Sequence, residues 1–300
     1  MKIFIDYKTA SFRKYSKKQK SKKWKRVIAK CSIGLLSVLF GLGLWKMSVE
    51  QYAYQQPSYA KISIENIIQK EQLTLEDYKV LTEQTGLHRE LIKQLLERGQ
   101  KEKIYRMQEL LFEVPQMTCK HNTPISWEER IDILERNKYS GRIIGLEEGD
   151  ILITPNSHTY GFRNGHAAII IDAQKGLTLE AAVMGEPVSV QSVEKWETFP
   201  TVIVLRLRNA SAEERKEIAE YAKKQMEHIY YGFSQDIREH LGMEELKDTH
   251  CAHMVWKCYL DFGYNLDSDG GIIVTPRDIA ESPLLEVRQF YGIGDYGKGK

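Results

Sequence analysis

The sequence predicts an α+β fold in which a central antiparallel sheet is flanked by helices. Short runs of aliphatic and β-branched residues at 149–153, 166–172 and 201–207 are typical of buried strands. Apolar residues recur at helical spacing before these runs, at 87–98, and after them, at 211–226. A core of roughly 180 to 200 residues is large enough to fold as one domain.

End signals define the helices on both sides of the strands. Thr74 and Asp77 have the spacing of a capping box, and Ser211 and Glu214 repeat it at the start of the later helix. Gly99 is typical of the residue that follows a helix. The elements expected between these signals are helices at 87–98 and 102–112, a connecting loop at 115–126 and a helix at 127–136.

The first 30 residues carry a strong positive charge that the formal net charge of +2 conceals. They contain twelve Lys or Arg residues and one acid, Asp6, whereas the rest of the chain has 31 bases and 40 acids. The basic segment leads directly into an uncharged run at 31–45. This order is typical of a membrane-targeting segment and argues against a nucleic-acid-binding domain.

The uncharged run favours an anchor that stays in the membrane. Fifteen uncharged residues fit the core of a signal peptide, whereas residues 27–45 approach the roughly 20 that span a bilayer. The nearest weak cleavage site, Ser58-Tyr59-Ala60, lies far downstream. We therefore expect a single-pass membrane protein with the domain that follows the anchor outside the cytoplasm. A secreted protein and a cytosolic protein with a buried apolar helix are the alternatives.

Cys251 and His166 are the candidate nucleophile and base. Asp248 and Thr249 are good N-cap residue types, so Cys251 falls in the first turn of a helix, where unpaired amide N–H groups stabilise an anion. His166 opens the strand at 166–172. A thiolate near a helix N-terminus and an imidazolium ion is a reactive nucleophile. Taken singly, each residue also fits a structural role in the core.

Further motifs surround these two residues in a recognisable order. They are Gly-Asp at 149–150, Gly-His-Ala at 165–167, Leu-Glu-Ala at 179–181, Cys-Ala-His-Met-Val-Trp at 251–256 and an acidic stretch at 266–278. From about Thr82 to Tyr291 the chain therefore resembles the YiiX-like branch of the NlpC-type, papain-like cysteine hydrolases. In this branch a circular permutation places the histidine before the cysteine, and this chain has that order.

The resemblance implies a circularly permuted papain-like core that needs no cofactor. It implies that Cys251 is the nucleophile, that His166 is the general base and then acid, and that Glu180 orients the imidazole. The organisation expected is a basic tail at 1–30, an anchor or signal core at 31–46, a helical subdomain and loop at 47–126, the hydrolase domain at 127–292 and a tail at 293–300.

The position of Glu180 depends on the register of one hairpin. A hairpin that pairs His166 with Glu180 has its midpoint at Ala173, inside the expected turn at 172–176. A tight three-residue turn would pair His166 with Met184 instead and place Glu180 about 13 Å away. The assigned role therefore requires a wider loop or a bulge. A solvent-exposed strand glutamate is the alternative.

Several histidines lie near the candidate pair in the sequence. We expect His158 and Tyr160, in the loop before His166, to contact the substrate together with His250, although a polar surface loop fits equally well. A zinc site was weighed for His158, His250, His253, Cys251 and Cys258. Paired ligands at zinc spacing are missing from the sequence, and His250 and Cys251 are expected to point to different sides of a helix. We therefore expect no metal there.

Two further patterns have ordinary interpretations. The stretch Asn265 to Gly270 copies the start of a calcium loop, but its twelfth position is Pro276 where such a loop needs a glutamate, so we expect a tight acidic turn. The four cysteines do not form a dense disulfide framework. A bridge between Cys119 and Cys258 is left open.

The function expected from these observations is that of an extracytoplasmic cysteine hydrolase. It would cleave amide or peptide bonds through an acyl-thioenzyme, and its substrates would be cell-wall peptides, because the relatives implied by the resemblance act mostly on these. Two alternatives remain: acyl hydrolysis or transfer on lipids, as in relatives resembling lecithin retinol acyltransferase, and a wall- or lipid-binding module without turnover. The oligomeric state is left open.

We expect everything after about Lys46 to face outward, because the positive-inside rule keeps the lysine-rich segment in the cytoplasm. Protease added to intact, wall-stripped cells should degrade the region that contains Cys251 and leave a small N-terminal fragment protected, as read by immunoblotting. Full protection of the Cys251 region would contradict this orientation. A soluble mature form beginning near Lys61 would replace the anchor with a cleaved signal peptide.

Overall fold

The computed structural model describes residues 24–25, 28–43, 53–243 and 245–294. The chain divides into two compact units, residues 1–51 and 52–300. In the first unit residues 28–43 are helical and exposed. Among the described residues, no helix combines the length and the apolar character that a bilayer crossing requires. Both ends of the expected anchor at 27–45, and most of the basic tail, lie outside the described residues.

The second unit is a mixed α+β structure with antiparallel sheets and flanking helices, as the sequence predicts. Its elements are, in order, α1 (Glu65–Ile68), α2 (Leu75–Thr85), α3 (Arg89–Glu97), α4 (Lys101–Phe112), β1 (Met117–Thr123), β2 (Ser126–Ile131), α5 (Arg136–Tyr139), β3 (Ile151–Thr154), β4 (Ser157–Thr159), β5 (Phe162–Arg163), β6 (His166–Asp172), β7 (Leu177–Glu180), β8 (Ser189–Ser192), a 3₁₀ helix (Val193–Thr198), β9 (Val202–Leu207), α6 (Ala212–Met226), α7 (Gln235–His240), α8 (Cys251–Leu260), α9 (Pro276–Ala280) and β10 (Leu285–Tyr291).

A six-stranded antiparallel sheet forms the centre of this unit, with the strand order β10-β9-β3-β6-β7-β8. Side chains alternate between its faces because successive strand residues point in opposite directions. Ala167 and Ile169 of β6 belong to the hydrophobic cluster that includes α6 and α8. Ala168 and Ile170 belong to a second cluster on the opposite face, which includes Trp196. Both faces of the central strand are therefore buried.

The helical region before the sheet packs as a cluster of its own and joins the edge strand β10. Thr74 and Asp77 form the predicted capping box at the start of α2. The helix predicted from Leu87 begins two residues later, at Arg89, since Leu87 forms a bridge with Gln289 of β10. Because Leu87 pairs with β10 as a strand residue, it cannot be part of the helix, which starts at Arg89. α4 and α6 confirm the predicted helices at 102–112 and 211–226 within one residue at each start.

The prediction of a loop at 115–126 followed by a helix at 127–136 is wrong. Residues 117–131 form the antiparallel hairpin β1–β2, and β2 also pairs with β4 in a second, four-stranded sheet of order β1-β2-β4-β5. Glu128 and Glu129 of this segment are both buried, and they pair with Arg130 and Arg163. Strand pairing and the ion pair between Glu129 and Arg163 of β5 override the local helix preference.

A buried ion pair joins β9 to the residue that precedes β3. Arg206 of β9 donates from Nε to Asp150 Oδ1 at 2.7 Å and from Nη2 to Oδ2 at 2.8 Å, just before β3 begins. Asp150 also accepts a hydrogen bond from the backbone N–H of Glu147. The bidentate geometry satisfies a carboxylate that has no solvent exposure.

Arg206→Met should lower the free energy of unfolding by about 3 kcal/mol, because it leaves the Asp150 carboxylate buried without its charged partner. Chemical denaturation followed by tryptophan fluorescence measures this. Lys175→Gln, which breaks the exposed pair with Asp172, is the matched control and should leave the midpoint nearly unchanged. Equal effects of the two substitutions would contradict the structural role of the buried pair.

Candidate active site

A bulged hairpin brings His166 and Glu180 together on neighbouring strands. β6 and β7 pair Ile169 with Leu179, and a register shift lies between Ile170 and Asp172. Continued along the ladder, this register sets Glu180 opposite Ala168, so Glu180 is a diagonal neighbour of His166 on the same face. The Nε2 atom of His166 donates to Oε2 of Glu180 at 2.8 Å. The expected bulge is therefore present. The observed register lies between the two expected ones, which pair His166 with Glu180 or with Met184.

The Glu180 carboxylate is fully buried and accepts four hydrogen bonds. Besides His166, its partners are the hydroxyl of Thr178 at 2.7 Å, the ammonium of Lys195 at 2.8 Å and the indole N–H of Trp196 at 2.7 Å. Burial raises the pKa of this carboxyl, but the charge of Lys195 and the His166 hydrogen bond outweigh it and hold the pKa well below its usual range. Glu180 is therefore an anion at neutral pH.

Sequence reasoning missed Lys195 and Trp196. The Trp196 ring stacks on the His166 ring with centroids 5.3 Å apart, so this side chain both covers the imidazole and binds its carboxylate partner. Both residues lie in the 3₁₀ helix that follows β8. A tryptophan beside a lysine is a weak signal on its own, and only the sheet order brings this segment onto β6 and β7.

Cys251 is the first residue of α8, the helix position at which backbone N–H groups have no intrahelical acceptor. The expected N-cap residues are corrected: the cap is His250, whose Nδ1 accepts from the His253 amide at 3.4 Å. Asp248 instead accepts from the backbone N–H of Ser234, and Thr249 bonds Nδ1 of His253. α8 packs against β6, which brings the buried thiol to the end of the strand where His166 lies.

Two imidazoles, those of His166 and His250, line the same cavity as the Cys251 thiol. Burial raises the pKa of the thiol, but hydrogen bonds and charges from His166 and His250 outweigh this effect and lower the pKa to about 5. Burial lowers the pKa of His166, but its bonds to Cys251 and Glu180 dominate and raise it to about 9. At neutral pH the favoured state is a thiolate beside an imidazolium, which is the reactive form of a cysteine nucleophile.

His250 lies beside the thiol, which corrects the expectation that it points to a different side of the helix. Its Nε2 donates to Oδ2 of Asp236 at 2.8 Å, and Asp236 Oδ1 accepts from the Val274 amide at 3.1 Å. Sequence reasoning missed Asp236. Its carboxylate lies on α7, and the loop between α7 and α8 brings it onto the N-terminus of α8.

A cavity of about 440 Å³ opens at the thiol. Polar groups and apolar side chains both line it, including Asn164, Thr275, Met184, Tyr231 and Phe233, with His166, His250 and Cys251 at one end. A larger cavity of about 640 Å³ lies between α2 and β10, away from these residues. We place the candidate site in the smaller cavity because the activated thiol opens into it.

Of the expected substrate-contacting residues, only His250 lines this cavity. His158 is buried, stacked on Trp127 at 3.5 Å between ring centroids and bonded to Glu129, because β4 pairs with β2. His158 therefore does not line this cavity, and its contacts are those of a buried packing residue. Tyr160 is 61% exposed on the neighbouring turn, and its hydroxyl approaches the sulfur of Met184, which does line the cavity.

The Asn265–Gly270 stretch is a tight turn, as expected, in which Asp267 accepts hydrogen bonds from the amides of Asp269 and Gly270. Among the described residues, the group with metal-ligand geometry is Asp267, Asp269 and Asp278, not the histidines and cysteines considered for zinc.

Cys119 is exposed, Cys258 is buried and both are free thiols, so the Cys119–Cys258 bridge left open by the sequence is not formed.

Comparison with known proteins gives a weak likeness to a solved structure. No protein-family model matches the chain, and no curated protein matches it. The crystal structure of the metalloprotein yiiX from Escherichia coli O157:H7 is 16% identical in sequence, with a TM-score of 0.38. The match covers 47% of this chain and 95% of that chain.

Alkylation by iodoacetamide should distinguish Cys251 from Cys258. The thiolate is the reacting species, so the Cys251 rate should be half-maximal near pH 5, flat above about pH 6 and lower in more acidic solution. Burial raises the pKa of Cys258, which should stay unmodified across this range. Peptide-resolved mass spectrometry measures both rates. A Cys251 profile centred near pH 8.5, the value of an ordinary thiol, would contradict the activated site.

Proposed function

We propose that this chain is a cysteine hydrolase that cleaves an acyl bond through a covalent thioester on Cys251. The observation that carries the proposal is the hydrogen bond between His166 and the buried Glu180 carboxylate, with His166 and the Cys251 thiol lining the same cavity. Nucleophile, base and orienting group thus occur in the order that nucleophilic catalysis needs. The thiol also lies at a helix N-terminus and opens into a cavity.

The reaction follows from the charge states of these groups. The thiolate sulfur attacks the carbonyl carbon, and a bond from sulfur to carbon forms while the carbonyl oxygen becomes an oxyanion. When the intermediate collapses, the protonated His166 gives its proton to the leaving amine or alcohol. Neutral His166 then takes a proton from water, whose oxygen attacks the thioester and releases the acid and the thiolate. Glu180 stabilises the imidazolium form throughout.

Two groups near the sulfur are suited to the developing oxyanion. The backbone N–H of Cys251 is in the first turn of α8, where no intrahelical acceptor is available and the helix dipole favours negative charge. Tyr231 lines the cavity, and burial together with the nearby Cys251 charge raises the pKa of its hydroxyl, which therefore stays a proton donor at neutral pH.

The substrate class proposed is a peptide or amide of the cell wall. The order of His166, Glu180 and Cys251 in the chain fits a circularly permuted papain-like core of the NlpC type. The N-terminal basic and apolar segments fit a domain held outside the membrane, where wall peptides are found. We propose this location together with the activity. The experiment with trapped acyl-enzyme tests the substrate class.

A lipid substrate is a second candidate because apolar side chains are exposed around the cavity. Tyr160, Phe233, Ile237, Leu241 and Ile273 are each more than two-fifths exposed, and Phe233 and Ile273 also line the cavity. Ile237 and Leu241 are four residues apart and lie on one face of the α7 region. Exposed apolar patches commonly mark surfaces that meet a partner or a membrane. The chemistry up to the thioester is the same for both substrate classes.

Trapping the acyl-enzyme tests the activity and separates the two substrate classes. The protein is mixed with purified wall peptides or with phospholipid vesicles, quenched in acid and analysed by intact and peptide-level mass spectrometry. We expect an acyl mass on Cys251 that hydroxylamine removes, since thioesters are labile to it. Wall-peptide adducts support the peptidase, and fatty-acyl adducts support the lipid enzyme. No adduct with either class, from protein that still reacts with iodoacetamide, would favour a binding module without turnover.

Matched variants assign the roles of the three residues. Cys251→Ala should abolish the adduct and turnover, whereas Cys258→Ala, which removes a buried thiol from the same helix, should retain both. Glu180→Gln should reduce kcat by about 10²-fold or more and by less than Cys251→Ala, because it removes the anion that orients and stabilises the imidazolium. Full activity in Glu180→Gln would show that a residue other than Glu180 orients the His166 ring.

A further inference from the structure

The Cys251 thiol is flanked by two imidazole–carboxylate pairs that come from different parts of the fold. One is His166 with Glu180, from the central sheet. The other is His250 with Asp236, from the N-terminus of α8 and from α7. A single imidazole is enough to activate a thiol. The proposed reaction therefore does not require the pair formed by His250 and Asp236.

The second pair is held as firmly as the first. His250 is 4% exposed and Asp236 is 5% exposed, and the bond between His250 Nε2 and Asp236 Oδ2 is 2.8 Å long. The other oxygen of Asp236 accepts from the amide of Val274, so both carboxylate oxygens have donors. The Phe233 ring lies 5.4 Å from the His250 ring. These contacts leave one ring nitrogen of His250, Nδ1. When it is unprotonated, Nδ1 can accept from the His253 amide, and when it is protonated, it can donate to the thiolate instead.

The charged and titratable groups that face His250 favour its protonated form. Asp236 is the carboxylate from α7, and Cys251 is the thiol from α8. The third neighbour is His253 of α8, whose ring centroid is 5.9 Å away. Burial lowers the pKa of His250, but the bonds to Asp236 and Cys251 outweigh it and raise the pKa to about 9.

We propose that His250 is a second catalytic imidazole, which keeps its proton and holds the Cys251 sulfur as a thiolate while His166 transfers the proton of the reaction. The proposal rests on the proposed function and deepens it. His250 is the N-cap of the helix that begins with the nucleophile, whereas His166 is the first residue of β6, and both line the cavity with Cys251. When the acyl-enzyme hydrolyses, the carbon–sulfur bond breaks and its electron pair returns to sulfur, where the His250 imidazolium stabilises the leaving thiolate.

A competing explanation is that His250 only caps α8. Its Nδ1 lies 3.4 Å from the amide nitrogen of His253, which is a long capping contact. Asparagine caps helices as well as any residue but cannot carry a positive charge. His250→Asn therefore preserves the cap and removes the imidazolium, so the two roles predict different results.

The test is the pH profile of Cys251 alkylation in the full chain. Removing one nearby positive charge should raise the midpoint of the Cys251 profile by about one to three pH units in His250→Asn. Asp236→Asn should raise it in the same direction, since it removes the anion that favours the protonated His250. His240→Asn removes an exposed imidazole from α7 that does not touch the thiol, and should leave the midpoint unchanged. Thermal unfolding of each variant checks the fold.

Turnover separates the two imidazoles. At a pH above the raised midpoint, where the thiolate is restored, His250→Asn should keep acylating Cys251, whereas His166→Ala should not. An unshifted alkylation midpoint in a folded His250→Asn would overturn the proposal and leave capping as the role of His250. If His250→Asn does not fold, an unshifted midpoint in Asp236→Asn overturns it instead.

The failure of this inference is distinct from the failure of the proposed function. If His166→Ala raises the midpoint of the Cys251 alkylation profile and His250→Asn leaves it unchanged, only the proposed role of His250 is contradicted. A wild-type midpoint near pH 8.5, together with no acyl adduct on Cys251, removes the hydrolase itself.

Discussion

The buried carboxylate of Glu180 is the constraint around which the site is arranged. An anion without solvent exposure is costly unless every lone pair has a donor, and here donors come from β6, β7 and the 3₁₀ helix after β8. The carboxylate therefore fixes the His166 ring, the covering Trp196 and the local sheet order together. Its depressed pKa means that this contribution to stability is present above the unfolded-state pKa and is lost as the pH falls through the folded-state value.

The second constraint is electrostatic and concerns the thiol. Cys251 and Cys258 share one helix and are both buried, yet the pKa of Cys251 is lowered and that of Cys258 is raised. Desolvation acts on both in the same direction, so the difference comes from the partners of Cys251. His166 and His250 stabilise its thiolate, and Cys258 has no such pair of imidazoles beside it. Position on the helix and the neighbouring fold, not the residue type, decide which cysteine is reactive.

The four-stranded sheet supports the rim of the cavity. Buried Glu129 accepts hydrogen bonds from His158, Asn156 and Arg163, which lowers the pKa of its carboxyl to about 2 despite burial. This network ties β2 to β4 and β5, which lead directly into His166. Residues with reactive side chains, such as His158, are thereby used as structure, and the groups that meet the thiol come from other elements.

The sequence by itself determined the strands at 151–154, 166–172 and 202–207 and the helices at 101–112 and 212–226, because hydrophobic period and end signals are local properties of the chain. It also indicated Cys251 and His166 as a candidate pair, and the resemblance added Glu180. Tertiary structure decided the rest. The hairpin at 117–131 replaced an expected helix since its strands pair with each other and Glu129 finds partners on β4 and β5. The bulge near Ile170 set the reach of Glu180, and the fold of α7 onto α8 brought Asp236 to His250. Each of these depends on groups that are distant in sequence, and no local pattern encodes their approach.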